Sequence, residues 1–322
     1  MKQGKGICRF AHQAMGTTFE LLVGGCEQSY ARQTSQAIFA EVDRVESLFS
    51  RFNPSSEIGQ INLLQPGESL RIGVETFQCL QTALWAQAET KGAFDINVGS
   101  LLKYKEKESL RRNKLPVDII EEMELSRISG GFQVRIRPLK ATVKTGLLDL
   151  DLGGIGKGYA LDRSQEILAD WEIKRALIHG GTSTALAVGT PPETDPEERG
   201  WAIGIGGDWH CPQAPRKLYL KDRAMSGSGT EVKGGHVFDP RTGRPAQGHL
   251  AAWVSHPSAA AADALSTAFM VMDTEEVKDF CDRHPEVWAL VVIDAKTCQV
   301  FNPKTAPKPK AKSIKIKERS NS

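Results

Sequence analysis

Cysteine is present but never in a motif: Cys8, Cys26, Cys79, Cys211, Cys281 and Cys298 form no C-x-x-C, and no set of Cys and His has the paired spacing of a zinc site. That spacing excludes a zinc ribbon and a thioredoxin-like redox pair. The even count permits disulfides, although a chain of 322 residues does not need them to build a core. No apolar run approaches the length of a membrane span. The opening Met1-Lys-Gln-Gly-Lys has no apolar core of a secretory signal and no lipoprotein leader, so a cytoplasmic location is expected. There is no internal repeat. Charge of one sign is also scarce, since 41 basic residues stand against 39 acidic ones, a formal +2.

Even that small excess is local. From Lys304 onward six lysines and Arg319 face only Glu318, so the tail carries +6 and the preceding 303 residues −4. A mildly acidic body argues against a nucleic-acid surface on the fold. The tail, residues 304–322, has too little apolar content to pack and reads as a disordered basic extension. It suits a solubilising role, or contact with an acidic partner, RNA or a membrane surface; its partner is not specified. With 40% hydrophobic and 25% charged residues, the body at 1–303 reads as one soluble globular domain.

Periodicity supplies the elements. Phe19-Glu-Leu-Leu-Val reads as a strand. Ile38, Val42, Val45 and Phe49 follow the three-to-four spacing of one helix face through Gln36–Phe49. A short helix begins near Ser55-Ser-Glu-Ile and ends near Asn62, and a third runs from about Glu75 to Thr90 and stops at Gly92. Lys103 to Lys114 is dense in charge and reads as a solvated helix or insertion. Strands are expected at Phe132–Ile136, Leu147–Leu152, Ala176–Gly180, Trp201–Ile205 and Trp288–Ile293, with helices at Ala160–Trp171 and Ala260–Met272. Strands and helices mix without strict βαβ alternation, so the fold class is α+β with sheet strands drawn from distant parts of the chain.

The richest stretch is Asp149-Leu-Asp151-Leu-Gly153-Gly154-Ile-Gly156-Lys157-Gly158, followed by helix-forming residues. Glycines let a backbone approach a bulky anion, a helix start supplies unpaired N–H donors, and a lysine adds a point charge suited to phosphate. Asp149 and Asp151 beside that loop suggest a hard cation between two carboxylates. The run is not a P-loop, because Gly158 rather than Ser or Thr follows Lys157. It is not a dinucleotide fingerprint either, because counting from Gly154 and Gly156 puts Tyr159 at the third glycine position. A strand-to-helix turn with glycines for tight packing is the alternative.

Four more constellations carry polar groups on apolar scaffolds. Ala93-Phe94-Asp95 follows a helix stop and places Asp95 to bind a ligand or cap a helix. Asp263 and Thr267, four apart, share one helix face and suit a hard cation's oxygen shell, unless Asp263 is an N-cap. His236 precedes a turn at Asp239-Pro-Arg-Thr-Gly243 and is either a general base or a histidine satisfied at a strand end. Met225-Ser226-Gly-Ser228-Gly reads as a small-residue loop able to hold phosphate.

Taken in order, the motifs resemble those of one family. Met15-Gly-Thr17, Ser56-Glu-Ile58 leading to Asn62, Gly92-Ala-Phe-Asp95, Asp151-Leu-Gly-Gly-Ile-Gly-Lys157-Gly-Tyr-Ala, Gly180-Gly181, Ser226-Gly227, His236-Val-Phe-Asp239-Pro-Arg-Thr-Gly243 and Asp263-Ala-Leu-Ser-Thr267 follow the order seen in the ApbE flavin transferases. The resemblance spans about residues 12 to 300. It implies a single ApbE-like, T-fold-related α+β domain with mixed sheets and flanking helices. It also implies an enzyme that binds FAD with Mg²⁺ and moves the FMN half onto a threonine (or serine) hydroxyl of a target flavoprotein, releasing AMP. By the same resemblance, Met15, Phe52, Ala93, Phe94, Asp95, Asp151, Lys157 and Val237 would contact FAD. Gly154, Asp263, Ser266 and Thr267 would hold Mg²⁺, and His236 would act as base with Lys157 stabilising charge. Two other readings fit such a site: an FAD pyrophosphatase giving FMN and AMP, or a non-catalytic FAD-binding protein.

The chain departs from the family pattern in three places. Phe52 stands where the family commonly has tyrosine, and Thr182-Ser-Thr follows Gly181 where an acidic or amide residue is usual. Ser228-Gly-Thr-Glu-Val replaces an acidic-aromatic pair.

Overall fold

Sheet strands come from nearly the whole chain. The computed structural model describes residues 6–99, 121–138, 148–192, 200–212, 214–229 and 237–307. β1 (Ile7–Ala14) and β2 (Thr17–Gly24) form an antiparallel hairpin closed by Met15 and Gly16, both at positive φ. Positive φ at both central residues is the turn whose twist matches the flanking strands. β2 then pairs with β6 (Ala176–Gly180), and the sheet continues through β7 (Thr184–Val188), β10 (Arg223–Gly229), β13 (Ala251–His256), β14 (Trp288–Val292) and β15 (Cys298–Phe301). Every neighbouring pair in this eight-stranded sheet is antiparallel.

Both faces of the sheet are covered, and the period of two divides the side chains between them. On β14, Ala289 and Val291 enter the larger core, while Trp288, Leu290 and Val292 enter the smaller one. The smaller core is closed by a hairpin of β8 (Trp201–Gly204) and β9 (Lys217–Leu220). A disulfide between Cys211 and Cys298 fastens that covering segment to the edge strand β15.

The larger core lies under helices. α1 (Gln28–Phe49) buries Ile38, Val42, Val45 and Phe49 as their spacing predicts. It begins well before Gln36, because Ala31, Thr34 and Ser35 extend the buried stripe with small residues. α2 (Glu57–Ile61) is capped by the Ser56 hydroxyl and meets β3 (Ser69–Ile72) of a small sheet completed by β5 (Gly131–Pro138) and β4 (Glu121–Ile128), while α3 (Val74–Glu89) packs against β5. α4 (Gly156–Asp170) and α5 (Ala259–Phe269) cross against the inner face of the sheet, and α6 (Thr274–Arg283) follows with a full capping box at Asp273 and Glu276. A short ribbon of β11 (Phe238–Asp239) and β12 (Arg244–Pro245) flanks the Asp239–Gly243 turn.

Two expectations need correction. Residues 148–152 join no strand ladder. Their backbone is satisfied by side chains and loops instead: Asn97 accepts from Asp149 N–H, Asn62 brackets Leu150, and the Ile96 carbonyl accepts from Asp151 N–H. Met225-Ser-Gly-Ser-Gly is no loop either; it is the body of β10, paired with β7 on one side and β13 on the other. The charged stretch at 103–114 and the tail from 308 lie outside the described residues.

Candidate functional site

A cleft of about 360 Å³ opens where the end of α1, the β1–β2 turn and the start of α4 meet. Met15, Phe49, Arg51, Phe52, Asp151 and Lys157 line it. Phe52 stands at its rim, 83% exposed, with the Arg51 guanidinium 4.7 Å from the ring centroid. A large apolar side chain so exposed beside a cavity is where a planar ligand would stack.

Asp149 and Asp151 do share a cation, but it belongs to the protein. Arg51 Nε lies 2.8 Å from Asp151 Oδ2, and Nη1 lies 3.9 Å from Asp149 Oδ1. The expected metal between these carboxylates is thereby replaced by a guanidinium from the residue after α1's C-cap. Arg51 Nε and Nη1 are buried without an aligned hydrogen bond, so the contact is an ion pair rather than a fork. Asp151 Oδ1 also accepts from Gly153 N–H at 2.6 Å, which sets the turn into α4. Sequence reasoning missed Arg51 because nothing local distinguishes it from an exposed arginine.

A carboxylate on α5 organises the other side. Asp263 is 3% exposed and lies in mid-helix, since the cap is Ser258; the N-cap reading does not apply. Its Oδ1 accepts from the Thr184 and Ser226 hydroxyls, each at 3.1 Å. Its Oδ2 accepts from Gly158 N–H at 3.2 Å and faces Lys157 Nζ at 3.8 Å. Lys157 donates to the Gly153 carbonyl at 3.0 Å. The helix start and its lysine therefore converge on Asp263, as unpaired N–H groups and positive charge should.

This close approach has a steric condition. A Cβ on Gly158 would fall 2.2 Å from the Ala259 carbonyl oxygen, so α4 and α5 touch backbone to backbone there. Asp162, one turn on, accepts from Ser258 Oγ and from the Ala259 and Ala260 N–H groups, pinning the start of α5. Burial nonetheless pushes its carboxyl above the usual range.

Of the remaining predicted residues, Thr267 and Phe94 meet at Gly154, and Ala93, Asp95, Val237 and Ser266 have other neighbours. Thr267 abuts the glycine loop, because a Cβ on Gly154 would lie 3.3 Å from Thr267 Oγ1 and 3.3 Å from the Phe94 ring. Ser266 points elsewhere: its hydroxyl contacts the Asp263 carbonyl, Ser226 and Ser228. Ala93 and Phe94 are buried, and Asp95 accepts from Gln87 Nε2 and Asn97 N–H. Burial raises the Asp95 carboxyl. Val237 packs at the edge of the larger core and its carbonyl accepts from Ala246 N–H. His236 lies outside the described residues.

The donor chemistry fits a hard cation. Asp263, Thr267 and the backbone at Gly154 offer only oxygen, and an ammonium already rests between Gly153 and Asp263. Among the described residues no three His, Cys, Asp or Glu side chains cluster, so one carboxylate with hydroxyl and carbonyl oxygens is the available set.

A sequence model of the ApbE family matches residues 15–291. The chain belongs to the ApbE family. Its ApbE relatives include the FAD:protein FMN transferase of Escherichia coli K12, 26% identical over 84% of this chain and 80% of that protein. Another is the FAD:protein FMN transferase of Chlamydia pneumoniae, 25% identical over 83% and 86%. Among solved structures, the ApbE protein of Thermotoga maritima superposes with a TM-score of 0.74 at 25% identity, covering 92% of this chain and 97% of that one. The flavin transferase ApbE of Vibrio cholerae gives 0.74 at 21% identity over the same shares, a likeness of fold. The α+β domain expected of an ApbE chain is the one observed.

Thr184 is the second ApbE-site residue that sequence reasoning missed. Its signal was position, three residues past Gly181 in the Thr182-Ser-Thr run that departs from the family pattern, on a strand whose inward face meets α5.

Proposed function

We propose that this protein is a Mg²⁺-dependent FAD:protein FMN transferase. It moves the FMN half of FAD onto a threonine (or serine) hydroxyl of a target flavoprotein and releases AMP. The observation that carries this reading is the junction of the glycine loop with Asp263, where Gly158 N–H and Lys157 converge on one buried carboxylate beside Thr267. Membership of a family whose curated relatives bear this activity in their names supports it.

The chemistry asks for three things: an oriented hydroxyl, neutralised pyrophosphate charge and a place for the proton. The acceptor oxygen bonds to the FMN phosphorus as the bridging P–O bond to AMP breaks. Asp263, Thr267 and the Gly154 backbone would hold the cation, which when bound neutralises non-bridging phosphate oxygens. Lys157 places a second positive charge at the loop and is within reach of the same anion. Phe52 and Met15 offer the apolar rim for the flavin ring, and Arg51 keeps Asp151 fixed below it. His236 would take the proton from the incoming hydroxyl.

Mass spectrometry of a candidate target incubated with the protein, FAD and Mg²⁺ tests this. A gain equal to one FMN group supports transfer, whereas free FMN plus AMP with an unmodified target overturns it in favour of hydrolysis. Asp263→Ala should abolish transfer, and retained transfer at saturating FAD would sink the metal role. An unchanged rate in His236→Ala would remove the base assignment.

A further inference from the structure

Asp263 has four acceptor positions, and they are used unequally. Oδ2 faces the glycine loop, where Gly158 N–H and Lys157 approach. Oδ1 faces the sheet, where only hydroxyls meet it. Those hydroxyls form a continuous chain. Thr184 Oγ1 and Ser226 Oγ lie 3.0 Å apart, both 3.1 Å from Oδ1. Ser266 Oγ is 3.3 Å from Ser226, and Ser228 Oγ is 3.0 Å from Ser266. Thr184, Ser226 and Ser266 are buried.

Each hydroxyl has a single proton, so the chain has a direction. Oδ1 is the strongest acceptor in reach, and Thr184 and Ser226 both donate to it. Ser266 gives its one proton to the Asp263 backbone carbonyl at 2.9 Å and accepts from Ser228, so it lies beside Ser226 without drawing on that hydroxyl's proton. Two charge-assisted bonds on one oxygen fix the plane of the carboxylate.

We propose that Thr184 and Ser226 are positioning residues that lock Asp263 with Oδ1 against the sheet and present Oδ2 to a divalent cation. This rests on the reading of Asp263 as a cation ligand given above. β7 and β10 supply the two donors from adjacent strands, at the paired positions Thr184 and Ser226, so the sheet's register sets their spacing. Buried ligand-orienting partners of this kind typically change metal affinity by about 10- to 100-fold when removed.

The test measures cation binding without turnover, using Mn²⁺ and electron paramagnetic resonance on the full chain with FAD present and no target protein. Thr184→Val and Ser226→Ala should each weaken Mn²⁺ binding about tenfold or more, while Thr184→Ser, which keeps the hydroxyl, stays within about twofold of wild type. FAD binding in EDTA should be unchanged in all three. Ser226→Ala removes a single oxygen and keeps the test open should Thr184→Val not fold. Folded variants with wild-type Mn²⁺ affinity overturn the proposal if Asp263→Asn still loses the ion. If Asp263→Asn binds Mn²⁺ as wild type does, the cation reading itself fails, and the proposal with it.

Discussion

Gly158→Ala sets helix propensity against packing at the point where α4 crosses α5. Alanine in place of glycine within a helix gains about 0.5–1 kcal/mol. The new methyl would lie 2.2 Å from the Ala259 carbonyl oxygen and 2.7 Å from Ala260 Cα. An ordinary contact needs roughly 3.5 Å, so the helices must part by about 1 Å. Overpacking of that kind costs about 1–3 kcal/mol. The displacement also stretches the 3.2 Å bond from Gly158 N–H to Asp263, a bond to a charged group worth about 1.5–3 kcal/mol. Packing wins, with a net loss of about 2–4 kcal/mol. Gly156→Ala is the control on the same helix: its methyl would meet the Phe49 ring at 3.6 Å and Leu152 at 3.8 Å, ordinary contacts. There the propensity gain stands alone. Urea unfolding followed by tryptophan fluorescence reads both. With an m-value near about 3 kcal/mol/M, Gly158→Ala should lower the midpoint by roughly 1 M and Gly156→Ala should raise it slightly. A Gly158→Ala midpoint at or above wild type would refute the backbone contact between the helices.

Three further outcomes follow from other contacts. Arg51→Gln leaves Asp149 and Asp151 facing each other without their guanidinium; it should cost about 2–4 kcal/mol in urea unfolding and weaken FAD binding in a fluorescence titration. Wild-type stability with wild-type FAD affinity would show the ion pair to be incidental. His249 and His256 are held below their ordinary range, chiefly by burial. The native state therefore binds fewer protons than the unfolded chain, so stability is complete at neutral pH and falls as pH drops through about 6.5. The urea midpoint should decline from pH 7.5 to 5.5, and the decline should be shallower in His249→Gln; parallel profiles would contradict this. Reduction of the Cys211–Cys298 bridge, which closes a loop across 87 residues of sequence, should lower stability by about 2–4 kcal/mol. An unchanged midpoint in dithiothreitol, with two added hydrogens confirmed by mass, would overturn that estimate.

Much of this was readable in the residues. The stripe Ile38, Val42, Val45, Phe49 fixed the inward face of α1, and the spacing of Asp263 and Thr267 put both on one face of α5. Local signals failed where a long-range partner decided the outcome. Leu148–Leu152 has the composition of a strand, but Asn62 and Asn97 satisfy its backbone from 50 to 90 residues away, so no ladder forms. Met225–Gly229 has the composition of a loop, yet two neighbouring strands hold it extended. Arg51 and Thr184 escaped for the same reason: their roles come from Asp151 and Asp263, which only the fold brings near.

The order of strands in the main sheet has an engineering consequence. Read across, β1, β2, β6, β7, β10, β13, β14 and β15 rise steadily in sequence number, and every pair is antiparallel. The frame is thus an up-and-down meander, and everything else is an excursion that leaves it and returns to the adjacent lane. The longest, between β2 and β6, carries α1 to α4 and the three-stranded sheet; another, between β13 and β14, carries α5 and α6. Because loop closure grows only logarithmically with length, such excursions can be lengthened or exchanged while the meander keeps its pairing. The site itself cuts across that division: Met15, Thr184 and Ser226 belong to the meander, Asp151 and Lys157 to the β2–β6 excursion, and Asp263 to the β13–β14 one, so an exchanged excursion keeps the site only where it meets these frame residues in the same register.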